Sequence, residues 1–396
     1  MAEPAGVAAD PGTSAREALR RAREAVEPVM RLAVDTLPGR IRTIAAYHLG
    51  WGEVGREPGA EPDKEGDGSA AEIGGSGGKL LRPGLVLAAA TAVAGPAAVA
   101  AAIGAARSSG GVAAASSSGP SPGRPPGLST ATVAGAGRTL LATAAAVELA
   151  HNFTLLHDDV IDRDRTRRHR PTAWTVFGAE NAILTGDAML ALALRLVGGE
   201  AAERLAECVI EICDGQYEDC AFEQRDDVTL DECLAMAGKK TGALLGCACA
   251  LGALAVRAEP AAVAALDAFG RELGMAFQLT DDLLGIWGDP AATGKPVGSD
   301  LAARKKSLPV VAALSARSAA AADLAGLYAL TRDFTEPELR HAADAVDRAG
   351  GRAWAAAEAS ARVAKAHAHL GKAPGVHQAA VRDLRAIADL ITGRTF

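Results

Sequence analysis

Two acidic clusters constrain this chain more than any other feature. One is His157-Asp158-Asp159-Val160-Ile161-Asp162; the other is Phe277-Gln278-Leu279-Thr280-Asp281-Asp282-Leu283-Leu284-Gly285. Each ends a long apolar stretch of helical character. Carboxylates are rarely left inside a helical protein without a counter-charge, because a buried ion loses its hydration. Two such clusters facing each other make a strongly negative hole. Hard divalent cations neutralise it, and Mg²⁺ carrying phosphate oxygens is the usual solution.

The chain has 396 residues, 49% of them hydrophobic but only 4% aromatic. That is enough for one large domain or two modest ones. Long alanine- and leucine-rich runs favour helix, and few segments alternate as strands do. A net charge of −7 argues against a nucleic-acid partner, which would require a basic stripe. Cys208, Cys213, Cys220, Cys233, Cys247 and Cys249 lack zinc-site spacing and are expected to be buried reduced thiols of a cytoplasmic protein. The N-terminus has no signal-peptide pattern. Gly84 to Ala106 carries no charge and could span a bilayer by length, but Gly95-Pro96 breaks it. Two buried core helices are expected there, and no membrane span.

Residues 1–13 are expected to be disordered, and 14–396 to form a single all-α domain. Helices are predicted from Ser14 to about Leu37 and from Arg40 to Leu49. Flexible loops are predicted at about 50–77 and 107–130, from their Gly, Pro, Ser and charged content. Further helices are expected at about 131–163, 172–197, 201–224, from a capping box at Thr229 and Glu232 to Val256, and from Pro260 to Trp287. Four shorter ones follow, one opened by a second capping box at Thr335 and Glu338.

Asp158 and Asp162 are four apart and share one helix face, with Asp159 beside them. Like charges at that spacing repel, and a Mg²⁺ turns repulsion into coordination. Alone, the motif also fits a solvated acidic helix end. Five arginines in eight residues follow, from Arg163 to Arg170. Guanidinium groups suit bidentate phosphate binding, though a solvated basic loop fits as well. Lys79 and Arg82 stand at a glycine-marked helix start, where exposed N–H groups favour anions. Lys239-Lys240-Thr241 interrupts an apolar helix, Lys295 lies in a glycine-rich loop, and Lys305 follows it. Each motif is weak by itself.

Their order and spacing together resemble the trans-isoprenyl diphosphate synthases, also called polyprenyl synthetases. The matching pieces are Gly78-Lys79-x-x-Arg82-Pro83, His151, His157-Asp158-Asp159-x-x-Asp162, Arg167-Arg168-x-x-Pro171-Thr172, Gly186-Asp187, Gly215-Gln216-x-x-Asp219, Lys240-Thr241, Phe277-Gln278-x-x-Asp281-Asp282 and Gly294-Lys295-Pro296-x-Gly298-x-Asp300. The resemblance implies an isoprenoid synthase-type bundle of mostly antiparallel helices around a central cavity, with the acidic motifs facing each other across its mouth. It implies Asp158, Asp162 and Asp281 as Mg²⁺ ligands, with Asp159 and Asp282 beside them and three Mg²⁺ per site. Arg167, Lys240 and Lys295 would hold an allylic diphosphate. Lys79, Arg82, His151 and Arg168 would hold isopentenyl diphosphate. Thr241 and Gln278 would face the reacting carbons, and Lys305 would help close the site. A homodimer is implied as well.

The implied reaction is Mg²⁺-dependent head-to-tail condensation by a short-chain synthase. Phe153, five residues before Asp158, is expected to form part of the floor that limits product length, with the small Thr154 next to it. Geranylgeranyl diphosphate is the favoured product and farnesyl diphosphate the next. Gly285 departs from the pattern by replacing the last aspartate of the second motif. Asp289 lies two turns beyond Asp282, too far to substitute. Leu80 replaces a frequent arginine and His169 a frequent glycine. The competing readings are a class I terpene cyclase, which would not carry Asp281-Asp282 and the Lys79/Arg82 pair, and a non-catalytic prenyl-diphosphate-binding subunit, supported only by Gly285.

Overall fold

A computed structural model describes residues 11–52, 80–108, 130–289, 297–378 and 380–393. The protein is all-α. The elements in chain order are α1 (Pro11–Asp35), α2 (Gly39–His48), α3 (Leu81–Ala94), α4 (Pro96–Ser108), α5 (Thr130–Ile161), α6 (Ala173–Phe177), α7 (Ala179–Leu196), α8 (Glu200–Glu223), α9 (Leu230–Ala237), a π-turn (Gly238–Gly242), α10 (Ala243–Ala255), α11 (Pro260–Trp287), α12 (Ser299–Ala302), α13 (Leu308–Leu314), α14 (Ala319–Tyr328), α15 (Glu336–Arg348), α16 (Gly351–Lys372) and α17 (Arg382–Thr392). Among the described residues the only strands are β1 (Thr166–Arg167) and β2 (Arg170–Pro171), which pair antiparallel.

The expected helices are present, with four differences. The first starts at Pro11 rather than Ser14, since proline suits the first helical position, so the stretch expected to be disordered is ordered from there. The segment expected as one helix over 172–197 breaks at Gly178, whose φ of 92° a helix cannot hold. Among the described residues six helices, not four, follow α11. The acidic–arginine stretch folds back as a hairpin instead of running on as a loop. The bulk of the two expected flexible loops lies outside the described residues.

The hairpin has a physical anchor. Arg168 and His169 form its two-residue tip, both at positive φ (53° and 62°), as the twist of a tight hairpin demands. His169 therefore stands where a glycine would be unstrained. Arg170 turns away from the tip, donates to Tyr47 O and Gly52 O at 3.1 Å each, and lies 4.5 Å over the Tyr47 ring. Tyr47 Oη donates back to Pro171 O at 2.9 Å. Arg170 is thus a structural arginine rather than a phosphate ligand.

The main core joins α1, α3, α5, α7, α10 and α11. The charge-free Gly84–Ala106 run is split at Gly95 into α3 and α4, as expected. By length and composition Ala134–Ile161 of α5 could cross a membrane, but 83% of its apolar 18-residue window is buried inside the protein. Cys208, Cys233, Cys247 and Cys249 are buried; Cys213 is exposed and Cys220 intermediate, against the expectation that all six are buried.

α10 is nearly all Ala, Gly, Leu and Cys because it is buried on every side. Small residues let α11 approach its backbone. A Cβ at Gly270 would lie 2.6 Å from Leu245 C and 2.7 Å from Gly246 Cα. These are backbone atoms, so no rotamer change relieves the clash. Helix propensity alone would make Gly270→Ala stabilising by about 1 kcal/mol. The close crossing reverses the sign: the substitution is expected to destabilise by about 1–3 kcal/mol, read from the urea midpoint.

Candidate active site

The first acidic cluster closes α5. Asp162 N donates to Asp158 O at 2.8 Å, so helical geometry continues through Asp162 and stacks the two carboxylates. Burial pushes the Asp158 carboxyl up to about 6; nearby Lys240 opposes the shift and Asp162 adds to it. Asp159 is only 2% exposed. Burial raises it to about 6 as well, against the pull of Arg167, whose Nε donates to its Oδ1 at 2.7 Å. Asp159 Oδ2 is buried without a hydrogen-bond partner. The hairpin delivers Arg167 to this pair. His157 Nε2 donates to Ile183 O at 3.0 Å and lies 3.5 Å from Asp187 Oδ1, which ties the Gly186-Asp187 piece to the same helix end.

The second cluster approaches from α11. Thr241 Oγ1 donates to Gln278 Oε1 at 2.6 Å, and Gln278 Nε2 donates to Asp282 Oδ1 at 2.6 Å. Leu308 N donates to Asp282 Oδ2 at 2.9 Å. Burial and the charge of Asp300 nonetheless push Asp282 up to about 8. Asp282 therefore sits behind Asp281, which is exposed at the surface of the wall.

Two lysines stand between the walls. Lys305 Nζ reaches Asp162 Oδ2 at 3.3 Å. Burial opposes its charge, but Asp162, Asp300 and Asp219 outweigh it and hold its pKa above the ordinary lysine value. Lys240 Nζ donates to Asp219 Oδ2 at 2.5 Å. It too is raised against burial, by Asp219 and Asp158. Lys240 and Thr241 occupy the π-turn, a bulge type frequent at functional sites. The neighbouring Lys239 is spent on Asp214 and Glu218 instead.

Behind the first wall lies a second cationic group. Leu80, at φ 43°, turns the chain into α3 and sets Arg82 in its first turn. Burial lowers the Arg82 guanidinium to about 10, and Glu148 opposes that shift. Glu148 is 3% exposed, and burial raises its carboxyl. Asn152 Nδ2 donates to Glu148 O at 2.8 Å and to its Oε1 at 3.3 Å. Burial first, and then the arginines, hold His48 down to about 3 and His151 well below the histidine norm, so both are neutral. A cleft opens beside Arg168, Glu148, Asn152 and Leu80. Lys79 and Lys295 lie outside the described residues.

Phe153 is buried in the main core, edge-on to the His157 ring at 4.8 Å. Thr154 Oγ1 donates to His151 O at 2.8 Å. Glu148, Asn152 and His48 are the residues that motif reading passed over. Glu148 was detectable as the lone charge in Ala144-Ala145-Ala146-Val147-Glu148-Leu149-Ala150, by the same argument that singles out Lys240.

The arrangement suits a polyanion gripped between cations and carboxylates. Among the described residues no three His, Cys, Asp or Glu side chains converge closely enough to hold an ion by themselves.

Residues 124–346 match the family model described as polyprenyl synthetase. The chain is 42% identical over 349 residues to a geranylgeranyl diphosphate synthase of Mycobacterium tuberculosis, covering 86% of this chain and 84% of that protein. It is 37% identical over 352 residues to a (2E,6E)-farnesyl diphosphate synthase of the same species, covering 86% and 83%. The crystal structure of a polyprenyl synthetase from Streptomyces coelicolor superposes with a TM-score of 0.76 at 37% identity, covering 95% of this chain and 99% of that one. With these likenesses spanning both acidic walls and the helices that carry them, the chain belongs to the polyprenyl synthetase family and is a prenyltransferase of its short-chain kind.

Proposed function

We propose that this protein is a Mg²⁺-dependent synthase that joins isopentenyl diphosphate head-to-tail to an allylic diphosphate, with geranylgeranyl diphosphate the favoured product and farnesyl diphosphate the next. The observation that carries the reading is the Lys305–Asp162 contact at 3.3 Å, which sets the segment following α11 against the end of α5. The site's chemistry fits the ion. Asp159 has a buried oxygen without a partner, and Asp158 and Asp159 are carboxylates that burial makes hard to ionise. Mg²⁺ typically takes one or two carboxylates plus substrate phosphate oxygens. Asp158, Asp162 and Asp281 would hold it directly, with Asp159 and Asp282 beside them. When bound, it supplies positive charge to the departing diphosphate oxygens.

The chain's own residues do the rest. Lys240, Arg167 and Lys295 grip the allylic diphosphate more tightly as the C–O bond breaks and charge gathers on its oxygens. Lys79, Arg82, His151 and Arg168 hold isopentenyl diphosphate so that its double bond lies against the allylic carbon. Thr241 and Gln278, locked to each other, line the reacting end. A proton lost from the new chain passes to the released diphosphate. Apolar helix faces keep water from the cation. The family resemblance implies a homodimer, and cysteines kept as reduced thiols suit the cytoplasm.

Incubation with Mg²⁺, isopentenyl diphosphate and each allylic primer in turn is expected to give a short-chain product. Hydrocarbon from farnesyl or geranylgeranyl diphosphate alone would instead indicate a cyclase. Asp158→Ala is expected to lower turnover by at least ~100-fold while helical circular dichroism is unchanged; comparable turnover would refute the ligand assignment. Phe153→Ala is expected to lengthen the product, and unchanged length on chromatography removes Phe153 from the floor.

The walls also set a pH dependence. Asp282 titrates at about 8 in the folded protein, and an unfolded aspartate at about 3.9. The folded state therefore holds the extra proton, and metal-free stability from this group is lost as pH rises from about 4 to about 8. Urea midpoints at pH 5 and pH 8 are expected to differ less in Asp282→Asn than in the wild type. Equal differences would show that Asp282 is ionised in the metal-free fold.

A further inference from the structure

Lys305, set against Asp162, is preceded by a residue with an unusual backbone. Arg304 has φ 52°, in the left-handed region that suits glycine and strains any residue with a Cβ. Such strain persists only where the surroundings hold it, and here the side chain is held. Its Nη1 donates to Tyr328 O at 3.3 Å, its Nη2 donates to Arg332 O, and its guanidinium lies 4.5 Å over the Phe334 ring. All of these partners lie between the last residue of α14 and the start of α15.

That connection is itself anchored. Arg332 donates to both carboxylate oxygens of Glu338, at 2.8 and 2.7 Å. Glu338 also accepts from Thr335 N at 2.8 Å in the capping box that opens α15. Phe334 packs edge-on to Tyr328, and both rings lean on the apolar cluster of Leu301, Val310 and Leu324. The connection also returns a bond to the site: Tyr328 Oη donates to Lys305 O at 3.3 Å. Burial, and then the charge of Asp300, raise the Tyr328 hydroxyl above the ordinary tyrosine value, so its proton stays available for that bond. Lys305 N donates to Asp300 O at 2.9 Å.

A guanidinium on the last carbonyls of a helix is a stabilising cap whatever else it does. The left-handed turn adds something more. It sends Arg304 back to α14 while Lys305 runs across to the end of α5. Lys306 is spent elsewhere, donating to Phe222 O at 3.1 Å beside the end of α8. We propose that Arg304 is a positioning residue for Lys305: fastened to the α14–α15 connection, its left-handed turn aims the Lys305 ammonium into the space between the acidic walls. Arg304 does not touch substrate. Its effect on affinity rests on the Mg²⁺–diphosphate reading above; the placement of Lys305 does not.

The test uses wild type, Arg304→Ala, Arg304→Gly, Lys305→Ala and the Arg304→Gly/Lys305→Ala double variant. Thermal midpoints are measured, with calorimetric affinity for inorganic pyrophosphate in the presence and absence of Mg²⁺. The rate at which N-hydroxysuccinimidyl acetate acetylates Lys305 is read by peptide mass spectrometry. Arg304→Ala is expected to lower the midpoint, since it keeps the strain and loses the bonds. Arg304→Gly is expected to regain part of it, because glycine is unstrained at that φ. Both are expected to lose Mg²⁺-dependent pyrophosphate affinity by about 10-fold, the order of one hydrogen bond to a charged group, and to acetylate faster at Lys305. In the Lys305→Ala background, Arg304→Gly is expected to change affinity by less than about 2-fold, because its effect travels through the missing ammonium. Affinity that returns with the midpoint in Arg304→Gly marks a structural cap alone and overturns the proposal. Unchanged acetylation, or a full further loss in the double variant, overturns it too. A wild type without Mg²⁺-dependent binding instead sinks the diphosphate reading, and acetylation then decides the placement of Lys305 by itself.

Discussion

Burial makes the carboxylates at the mouth of this bundle reluctant to carry charge, and every other part of the site responds to that. Asp158 and Asp159 remain near 6 despite Lys240 and Arg167 beside them, and Asp282 rises to about 8 despite two hydrogen bonds. The protein's own cations therefore offset the buried charge only in part. A group with fully satisfied carboxylates would gain little from an incoming ion. Here the deficit is left in place and oriented, which is the condition for strong electrostatic stabilisation without reorganisation at the moment of reaction.

That orientation depends on backbone packing at some distance from the carboxylates. Gly270 and Gly246 let α11 and α10 cross closely. Just ahead of that crossing, the π-turn widens the helix where Lys240 and Thr241 leave it. Thr241 then meets Gln278 of α11, and Gln278 meets Asp282 one turn further along. The chain Thr241–Gln278–Asp282–Leu308 thereby fixes three elements, the π-turn, α11 and α13, against one another through three hydrogen bonds. Loosening the α10–α11 crossing would move the lysine and the second wall independently, and sub-ångström placement is what near-attack geometry requires.

Much of this was legible in the residues, for reasons that differ from element to element. The α11 boundaries follow from Pro260 at the start and from the loss of apolar periodicity after Trp287. Both capping boxes announce helix starts, and Thr229 N donates to Glu232 Oε2 at 2.9 Å as that pattern requires. The hairpin was not legible, because its register is fixed by Tyr47 and Gly52, more than a hundred residues earlier in the chain. The π-turn has no sequence signature of its own. Asp300 is the sharpest case. Its motif could be read, but only three-dimensional packing shows that its carboxylate lies against Gly285 of α11.

The second cationic group follows a different logic from the walls. Arg82 is useful to a diphosphate only while charged, yet burial pulls against that charge. Glu148 beneath it supplies the opposing field, and Asn152 fixes the carboxylate's orientation. Replacing Glu148 alone would leave a buried guanidinium uncompensated, which is worse than losing the pair together. His48 and His151 complete the arrangement by staying neutral. A protonated imidazole there would repel Arg82 and Arg168 and compete for the same anion. Keeping both rings uncharged leaves the positive charge on the guanidinium groups, where planar, bidentate geometry matches phosphate oxygens. The two imidazoles therefore stay uncharged across the range in which Asp158 and Asp282 titrate.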